Sequence, residues 1–248
     1  MDESAIDDLL SEQRRYYRAR APEYDDWWFR RDRYALDDEA RERWQADIAQ
    51  LESELERFGP AGEVLELAAG TGIWTARLAR YADRVTAVDA SPEVLERNRA
   101  KVGPDAAVEH VVADLFAWEP SRAYDVCFFS FWLSHVPRGR LAGFWEIVGR
   151  ALGPDGRVFL IDNAHPDVGD ARHSHTVGHG GEIARRNLAD GREFEIVKRF
   201  WSTAELEDEL AALGWQFAAR ETRHGNFLFA SGGRARTRQA GPDPHFGG

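Results

Sequence analysis

The chain has 248 residues, 43% hydrophobic and 30% charged, the balance of a globular protein and not of a disordered chain. Lys and Arg total 32 against 43 Asp and Glu, and the net charge of −11 argues against nucleic acid or anionic membrane as partners, which are normally met with a basic face. No apolar run approaches the ~18 residues of a membrane span, the opening M-D-E-S-A-I-D-D has no signal-peptide core, and one cysteine, Cys127, cannot form an internal disulfide, so a cytoplasmic setting is expected.

Ser4 to Ala21 reads as a helix, with Ile6, Leu9, Leu10 and Tyr17 on one side of a 3.6-residue period and Pro22 ending it. An aromatic patch follows at Tyr24, Trp27, Trp28 and Phe29. Asp37 to Phe58 is a second helix, its apolar stripe formed by Trp44, Ile48, Leu51, Leu55 and Phe58 and its end marked by Gly59-Pro60. Residues 1–58 are thus expected to form an N-terminal helical cap. From residue 59 the pattern alternates. Strands are expected at Val64–Leu67, Val85–Asp89, Val108–Val112, Asp125–Phe129 and Arg157–Asp162. Helices are expected at Ile73–Tyr81, Pro92–Lys101 and Arg140–Leu152; Ser91 caps the second, and Gly153 closes the third. Doubly apolar strands alternating with helices mean a parallel sheet covered on both faces.

Residues 163–200 interrupt this alternation as an inserted cap segment. Asp190-Gly191 marks a hairpin turn there, followed by β-type residues at Arg192–Lys198. Ser202-Thr203 opens a helix to about Leu213, and strands Trp215–Arg220 and Phe227–Ser231 complete a core spanning 59–231. The tail, 232–248, has no apolar period and is expected to be disordered.

The most informative stretch is V-L-E-L-A-A-G-T-G-I-W-T, Val64 to Thr75, in which a strand feeds a Gly-Thr-Gly turn and then a helix. Glycines let a backbone approach a ligand, and a helix N-terminus offers free N–H groups. Asp89 ends the next strand, where a carboxylate suits a ribose diol. That much is compatible with NAD or with another adenosine cofactor. Thr75 stands where a dinucleotide fingerprint wants a small residue. Glu66 precedes the turn, and aimed at it would repel a pyrophosphate and favour a cationic amino group. At ~4 Å and an effective dielectric of ~20 such a contact is about 4 kcal/mol, which favours S-adenosylmethionine.

Four segments then fall in order at strand ends: E-L-A-A-G-T-G (66–72), V-T-A-V-D-A-S (85–91), V-V-A-D-L-F (111–116) and Y-D-V-C-F-F-S (124–130). With them the chain resembles the class I S-adenosylmethionine-dependent methyltransferases, in particular the small-molecule, ubiquinone/menaquinone type, from Tyr16 to Ser231. The resemblance implies an α/β fold with a Rossmann-like seven-stranded, mostly parallel sheet, an antiparallel last strand and helices on both faces. It also implies that Gly70 and Gly72, with Ala68 in place of the family's first glycine, back the methionine moiety. Asp89, with Ala90 beside it, would hold the ribose. Asp114 and Leu115 would meet the adenine amino group, and Ser130 and Phe131 would line the methionine side. Y-R-A-R-A-P-E-Y-D (17–25) resembles the segment that closes over the cofactor in this family, bringing in Tyr17 and Tyr24.

Methyl transfer from a sulfonium is an in-line displacement that needs positioning first, and a base only if the acceptor must lose a proton. His135, which titrates near neutrality, is the first candidate base and Asp162 the second; a structural histidine before Pro137 is the competing reading for His135. The aromatic patch of Tyr24, Trp27, Trp28 and Phe29, with Phe131 and Trp132, is a candidate for a lid and pocket wall. Ser130-Phe131-Trp132-Leu133 lacks the Pro-Pro-aromatic motif that nucleobase amino-methylating enzymes share after this strand, and Cys127, inside a strand, reads as a buried structural residue. Asp162-Asn163 resembles the magnesium pair of catechol-type enzymes, but Ser130 stands where the other carboxylate belongs. His165, His173, His175 and His179 read as polar loop residues, some facing the substrate, so no metal is expected. The expected function is methyl transfer from S-adenosylmethionine to a small, partly aromatic or apolar metabolite. The alternatives are a non-methylating cofactor-binding member of the fold and an NAD(P)-dependent oxidoreductase. Sequence leaves the acceptor, the atom methylated and the oligomeric state open.

Overall fold

The computed structural model describes residues 2–164, 174–176 and 182–235. Three helices come first: α1 (Glu3–Arg20), α2 (Tyr24–Trp28) and α3 (Asp38–Phe58). Asp2 and Asp37 cap α1 and α3, accepting from the amides of Ala5 and Ala40, and Gly59 ends α3 in the left-handed region. The alternating part runs β1 (Glu63–Leu67), α4 (Thr75–Leu78), β2 (Arg84–Asp89), α5 (Pro92–Val102), β3 (Val108–Val112), β4 (Tyr124–Ser130), α6 (Arg138–Ala151) and β5 (Leu152–Asn163). A small antiparallel sheet, β6 (Ser174–Thr176), β7 (Ile183–Asn187) and β8 (Glu193–Val197), follows. The chain then returns through α7 (Thr203–Ala212), β9 (Trp215–Glu221) and β10 (Phe227–Arg234).

The large sheet has the order β3-β2-β1-β4-β5-β10-β9; β10 runs antiparallel to both its neighbours, β5 and β9, and the other pairs are parallel. Period-2 alternation sorts its side chains into two cores. Val64, Val126, Phe128, Phe159 and Ile161 pack with Trp28, Trp44, Leu51 and Leu55 of the N-terminal helices. Leu65, Leu67, Cys127, Phe129, Val158 and Leu160 pack with α6 and α7 through Phe144, Trp145, Leu206 and Leu210. α1 lies on the small sheet, where Tyr16 joins Ala184, Leu188 and Ile196 in a third cluster.

Three expectations differ from the structure at element ends. The helix expected over 73–81 is regular only at α4, because the Arg77 amide bonds Trp74 O while its guanidinium takes Ile73 O at 2.6 Å and Glu52. α6 is not closed by Gly153; it runs directly into β5, whose pairing with β4 jumps from Leu152–Tyr124 to Arg157–Val126. β10 continues past Ser231, with Gly232 and Gly233 paired on both sides, to Val158 and Arg157 of β5 and to Phe217 and Gln216 of β9. Central pairing on two edges overrides glycine's poor strand preference. Residues 236–248 of the expected tail lie outside the described residues, as do His165, His173 and His179 and the side chain of His175. No helix among the described residues is long and apolar enough to cross a membrane.

Candidate functional site

β1 lies between β2 and β4, so the strand order reverses beside it, and the crevice at the carboxyl ends of these strands is where open α/β sheets bind ligands. A cavity of about 300 Å³ opens there, at the lower end of the roughly 300–1,000 Å³ typical of ligand clefts. Tyr17, Ala21 and Tyr24 roof it from the N-terminal segment, and Ala68, Gly70, Asp89, Ala90, Asp114 and Leu115 line it from the sheet. Ser130, Phe131, Trp132 and His135 form the wall after β4.

The turn after β1 follows an unusual backbone course: Ala68, Gly70 and Gly72 all have positive φ, at 53°, 57° and 88°. At Ala68 this left-handed conformation costs an L-residue about 1–2 kcal/mol. Gly72 does not line the cavity. Its glycine is needed elsewhere: a Cβ there would lie 2.9 Å from Asn98 Cγ and 3.0 Å from Asn98 Cα, so the turn can sit against α5 only without one. Asn98, fully buried, ties this contact together. Its Nδ2 donates to Thr75 Oγ1 at 2.7 Å and Gly70 O at 3.2 Å, and its Oδ1 accepts from His110 Nε2 at 2.9 Å. Thr75 Oγ1 in turn donates to Glu66 Oε2 at 2.6 Å.

Glu66 is therefore a buttress of the turn, and the expected contact with a cationic ligand is corrected. Strand parity puts it on the face of Val64, beneath α4; it is 1% exposed and does not line the cavity. Burial pushes its carboxyl up to about 8, against the downward pull of the Thr75 hydrogen bond, so near pH 7 it is largely neutral. The carboxylates that do line the cavity are Asp89 and Asp114. Asp89 Oδ2 accepts from Gly70 N at 3.0 Å and Oδ1 from Ser91 N at 2.9 Å. Burial raises its pKa and these amides oppose the rise. Asp114 accepts from Phe116 N at 3.0 Å and pairs with Arg14 of α1 at 2.9 Å, so its carboxylate holds the helix that roofs the cavity. Arg18–Glu93 at 3.2 Å, and Asp25 with Lys101 at 2.7 Å and Thr71 at 2.6 Å, fasten the same segment to the core.

At the far end, the Tyr17 hydroxyl lies 2.6 Å from His135 Nε2, and His135 Nδ1 lies 2.6 Å from Val197 O. A carbonyl only accepts, so Nδ1 carries the ring proton and Tyr17 donates to Nε2. Gln13 fixes both sides of this pair, donating to His135 O at 3.1 Å and accepting from Val197 N at 3.0 Å. Burial, first, and Lys198 hold the His135 pKa well below its ordinary value, while burial raises that of Tyr17. Both groups are thus neutral near pH 7. Asp162, the second candidate base, does not line the cavity; its oxygens accept from Ser134 N and Asn163 N, each at 2.8 Å, 3.6 Å from Lys198 Nζ. Phe131 has φ 52°, rare for an aromatic residue, and its ring packs 5.3 Å from Trp27 and 5.8 Å from Trp28.

Ten of the twelve expected cofactor residues, with His135, therefore converge on one cavity, while Glu66, Gly72 and Asp162 stand behind it. Sequence reasoning missed Asn98, Arg14 and Gln13. For Arg14 and Gln13 a signal existed, since both lie on α1 within a turn of Tyr17. For Asn98 none did, because its partners lie 12–29 residues away. Cys127 is buried with its thiol pKa pushed up, as an inert core residue.

A family model described as "Methyltransferase domain" matches residues 64–156, which takes in the turn, Asp89 and β4. A solved structure described as the DhpI–SAH complex is 39% identical, covering 92% of this chain and 98% of that one, with a TM-score of 0.73. A demethylmenaquinone methyltransferase of Clavibacter sepedonicus is 37% identical over 110 residues, 44% of each chain. Nodulation protein S of Rhizobium tropici is 28% identical over 123 residues, 48% of this chain and 50% of its own. The chain spans about half the length or less of the curated relatives it matches.

Proposed function

The chain belongs to the class I S-adenosylmethionine-dependent methyltransferases, and on that footing we propose that it methylates a small, partly aromatic or apolar metabolite. The observation that carries this reading is a single cavity bounded at one end by the Asp89 carboxylate and the glycine turn and at the other by Tyr17 and His135. The residues present fit the cofactor. Asp89 is anchored by two backbone amides, and a carboxylate has lone pairs beyond those two to accept from a ribose diol. The positive-φ backbone at Ala68 and Gly70 brings the main chain close to the methionine side, which Ser130 and Phe131 line. Bound there, S-adenosylmethionine supplies a sulfonium methyl open to in-line displacement.

The chain's own residues position the acceptor and exclude water. Tyr24, Phe131 and Trp132 give the cavity an aromatic wall, which holds flat apolar groups and attracts a cation through ring faces. The lid ion pairs close it from the α1 side. His135 holds the Tyr17 hydroxyl in one orientation; Asp162, turned to backbone amides, fixes the segment that carries His135. Asp89 suits a ribose in either cofactor, so it is the likeness to a solved S-adenosylhomocysteine complex, and not the charge of the cavity, that supports this reading over an NAD(P) enzyme. We also propose a cytoplasmic setting, supported by the lone buried Cys127, and, from the charge of −11, no nucleic-acid substrate. The test is transfer of labelled methyl from S-adenosylmethionine to phenols, carboxylic acids and amines, with Asp89→Ala as control. Asp89→Ala should weaken S-adenosylhomocysteine binding by ~1.5–3 kcal/mol, the scale of charged hydrogen bonds. Unchanged affinity would place the ribose elsewhere.

A further inference from the structure

Asp89 is held from two directions, and both lead back to α5. Its Oδ1 accepts from the amide of Ser91, the N-cap of that helix, at 2.9 Å, and its Oδ2 accepts from Gly70 N at 3.0 Å. Asn98 stands about two turns beyond Ser91 on the same side of α5. It is fully buried and lies outside the cavity, and its Nδ2 donates to Ala69 O at 3.4 Å and to Gly70 O at 3.2 Å. Ala69 O and Gly70 N belong to one planar peptide group, so Asn98 holds the carbonyl of that plane and Asp89 its N–H. Gly70, at φ 57°, is the kind of residue about which such a plane turns with least resistance. A rotation that carried the N–H away from Asp89 would carry Ala69 O away from Asn98 as well.

We propose that Asn98 is a positioning residue for the cofactor, acting through the Gly70 backbone to fix the Asp89 carboxylate that accepts from the ribose diol. The inference rests on the methyltransferase reading and deepens it. The Asn98 amide can serve in only one orientation. Ala69 O and Gly70 O only accept, so Nδ2 faces them, and Oδ1 accepts from His110 Nε2 at 2.9 Å. His110 therefore carries a proton on Nε2, and from β3, half-buried at the edge of the large sheet, it sets the amide. Turned over, Asn98 would press Oδ1 against two carbonyl oxygens and Nδ2 against the His110 N–H. The second Nδ2 hydrogen goes to Thr75 Oγ1 at 2.7 Å, whose own proton goes to Glu66. Both amide hydrogens and the amide oxygen are thus engaged inside the protein, and Asn98 reaches the cofactor only through Gly70.

Calorimetric titration of the full chain with S-adenosylhomocysteine tests this in a cycle of Asn98→Ala, Asp89→Ala and the double variant. Asn98→Ala is expected to weaken binding about tenfold in the parent, and by less than about twofold where Asp89 is already alanine, because the path to the ribose is then gone. A residue that only stabilised the fold would cost the same factor in both backgrounds. His110→Phe keeps the bulk at a half-buried edge position and removes the donor to Asn98. It is expected to cost about threefold in the parent and nothing measurable beside Asp89→Ala, and it carries the test should Asn98→Ala not unfold cooperatively in urea. Unchanged affinity in either folded variant, or equal losses with and without Asp89, would overturn the inference. Failure of the parent to bind S-adenosylhomocysteine would instead overturn the methyltransferase reading, and this inference with it.

Discussion

Replacing Glu66 with glutamine separates a buttress from a ligand contact. Burial pushes the Glu66 carboxyl from 4.5 to about 8 in the folded chain, with Thr75 as its hydrogen-bond partner. Because the folded-state value is the higher one, the protonated form contributes its full stability below the unfolded value. That contribution declines as pH rises from 4.5 and is gone above about 8. A shift of this size corresponds to on the order of 5 kcal/mol. Glutamine is nearly isosteric, keeps an oxygen for the Thr75 hydroxyl and does not titrate. The stability of Glu66→Gln relative to the parent is therefore expected to rise by on the order of 3–5 kcal/mol between pH 5 and pH 9. Urea unfolding midpoints across that range measure it, and S-adenosylhomocysteine affinity at pH 7 should change less than about threefold, since a largely neutral side chain outside the cavity is replaced by a neutral one. Parallel stability profiles for the two proteins, or a loss of affinity above about tenfold, would refute the placement of Glu66 beneath the turn.

Ala68→Gly relieves the left-handed backbone at φ 53° and is expected to stabilise the protein by about 0.5–1 kcal/mol in chemical unfolding, net of the added freedom of the unfolded chain. Arg14→Ala removes a half-exposed ion pair, so stability should change by less than about 1 kcal/mol, but S-adenosylhomocysteine should leave faster and its release should lose part of its salt dependence in stopped-flow measurements. With His135 held neutral by burial and by Lys198, kcat/KM for an acceptor that arrives deprotonated should show no limb near pH 6.5. A limb there would mean that His135 titrates at its ordinary value.

The fold was legible wherever a period could be counted. The run of short apolar strands alternating with helices fixed the order of β1 to β5, and Ser91-Pro92 located the start of α5. Positions set by side-chain chemistry over long distances were less so. Nothing local in I-W-T-A-R-L-A-R-Y announces that Arg77 turns back on the Ile73 carbonyl and shortens α4. At the site, residues at strand ends were legible because strand polarity alone carries them to the crevice, as for Asp89 and Ser130. Glu66 was misread even though strand parity held the answer: alternation from Val64 directs it under α4 and not toward the turn. The pairing of Tyr17 with His135 was out of reach, since Gln13 and Val197, which fix it, meet only when α1 lies on the small sheet.

The central claim is that the crevice beside β1 takes S-adenosylmethionine and not NAD. Calorimetric titration of one preparation with S-adenosylhomocysteine and with NAD tests it most directly. The account predicts one S-adenosylhomocysteine site of micromolar affinity or tighter and no heat from NAD; saturable NAD binding without S-adenosylhomocysteine binding would contradict it.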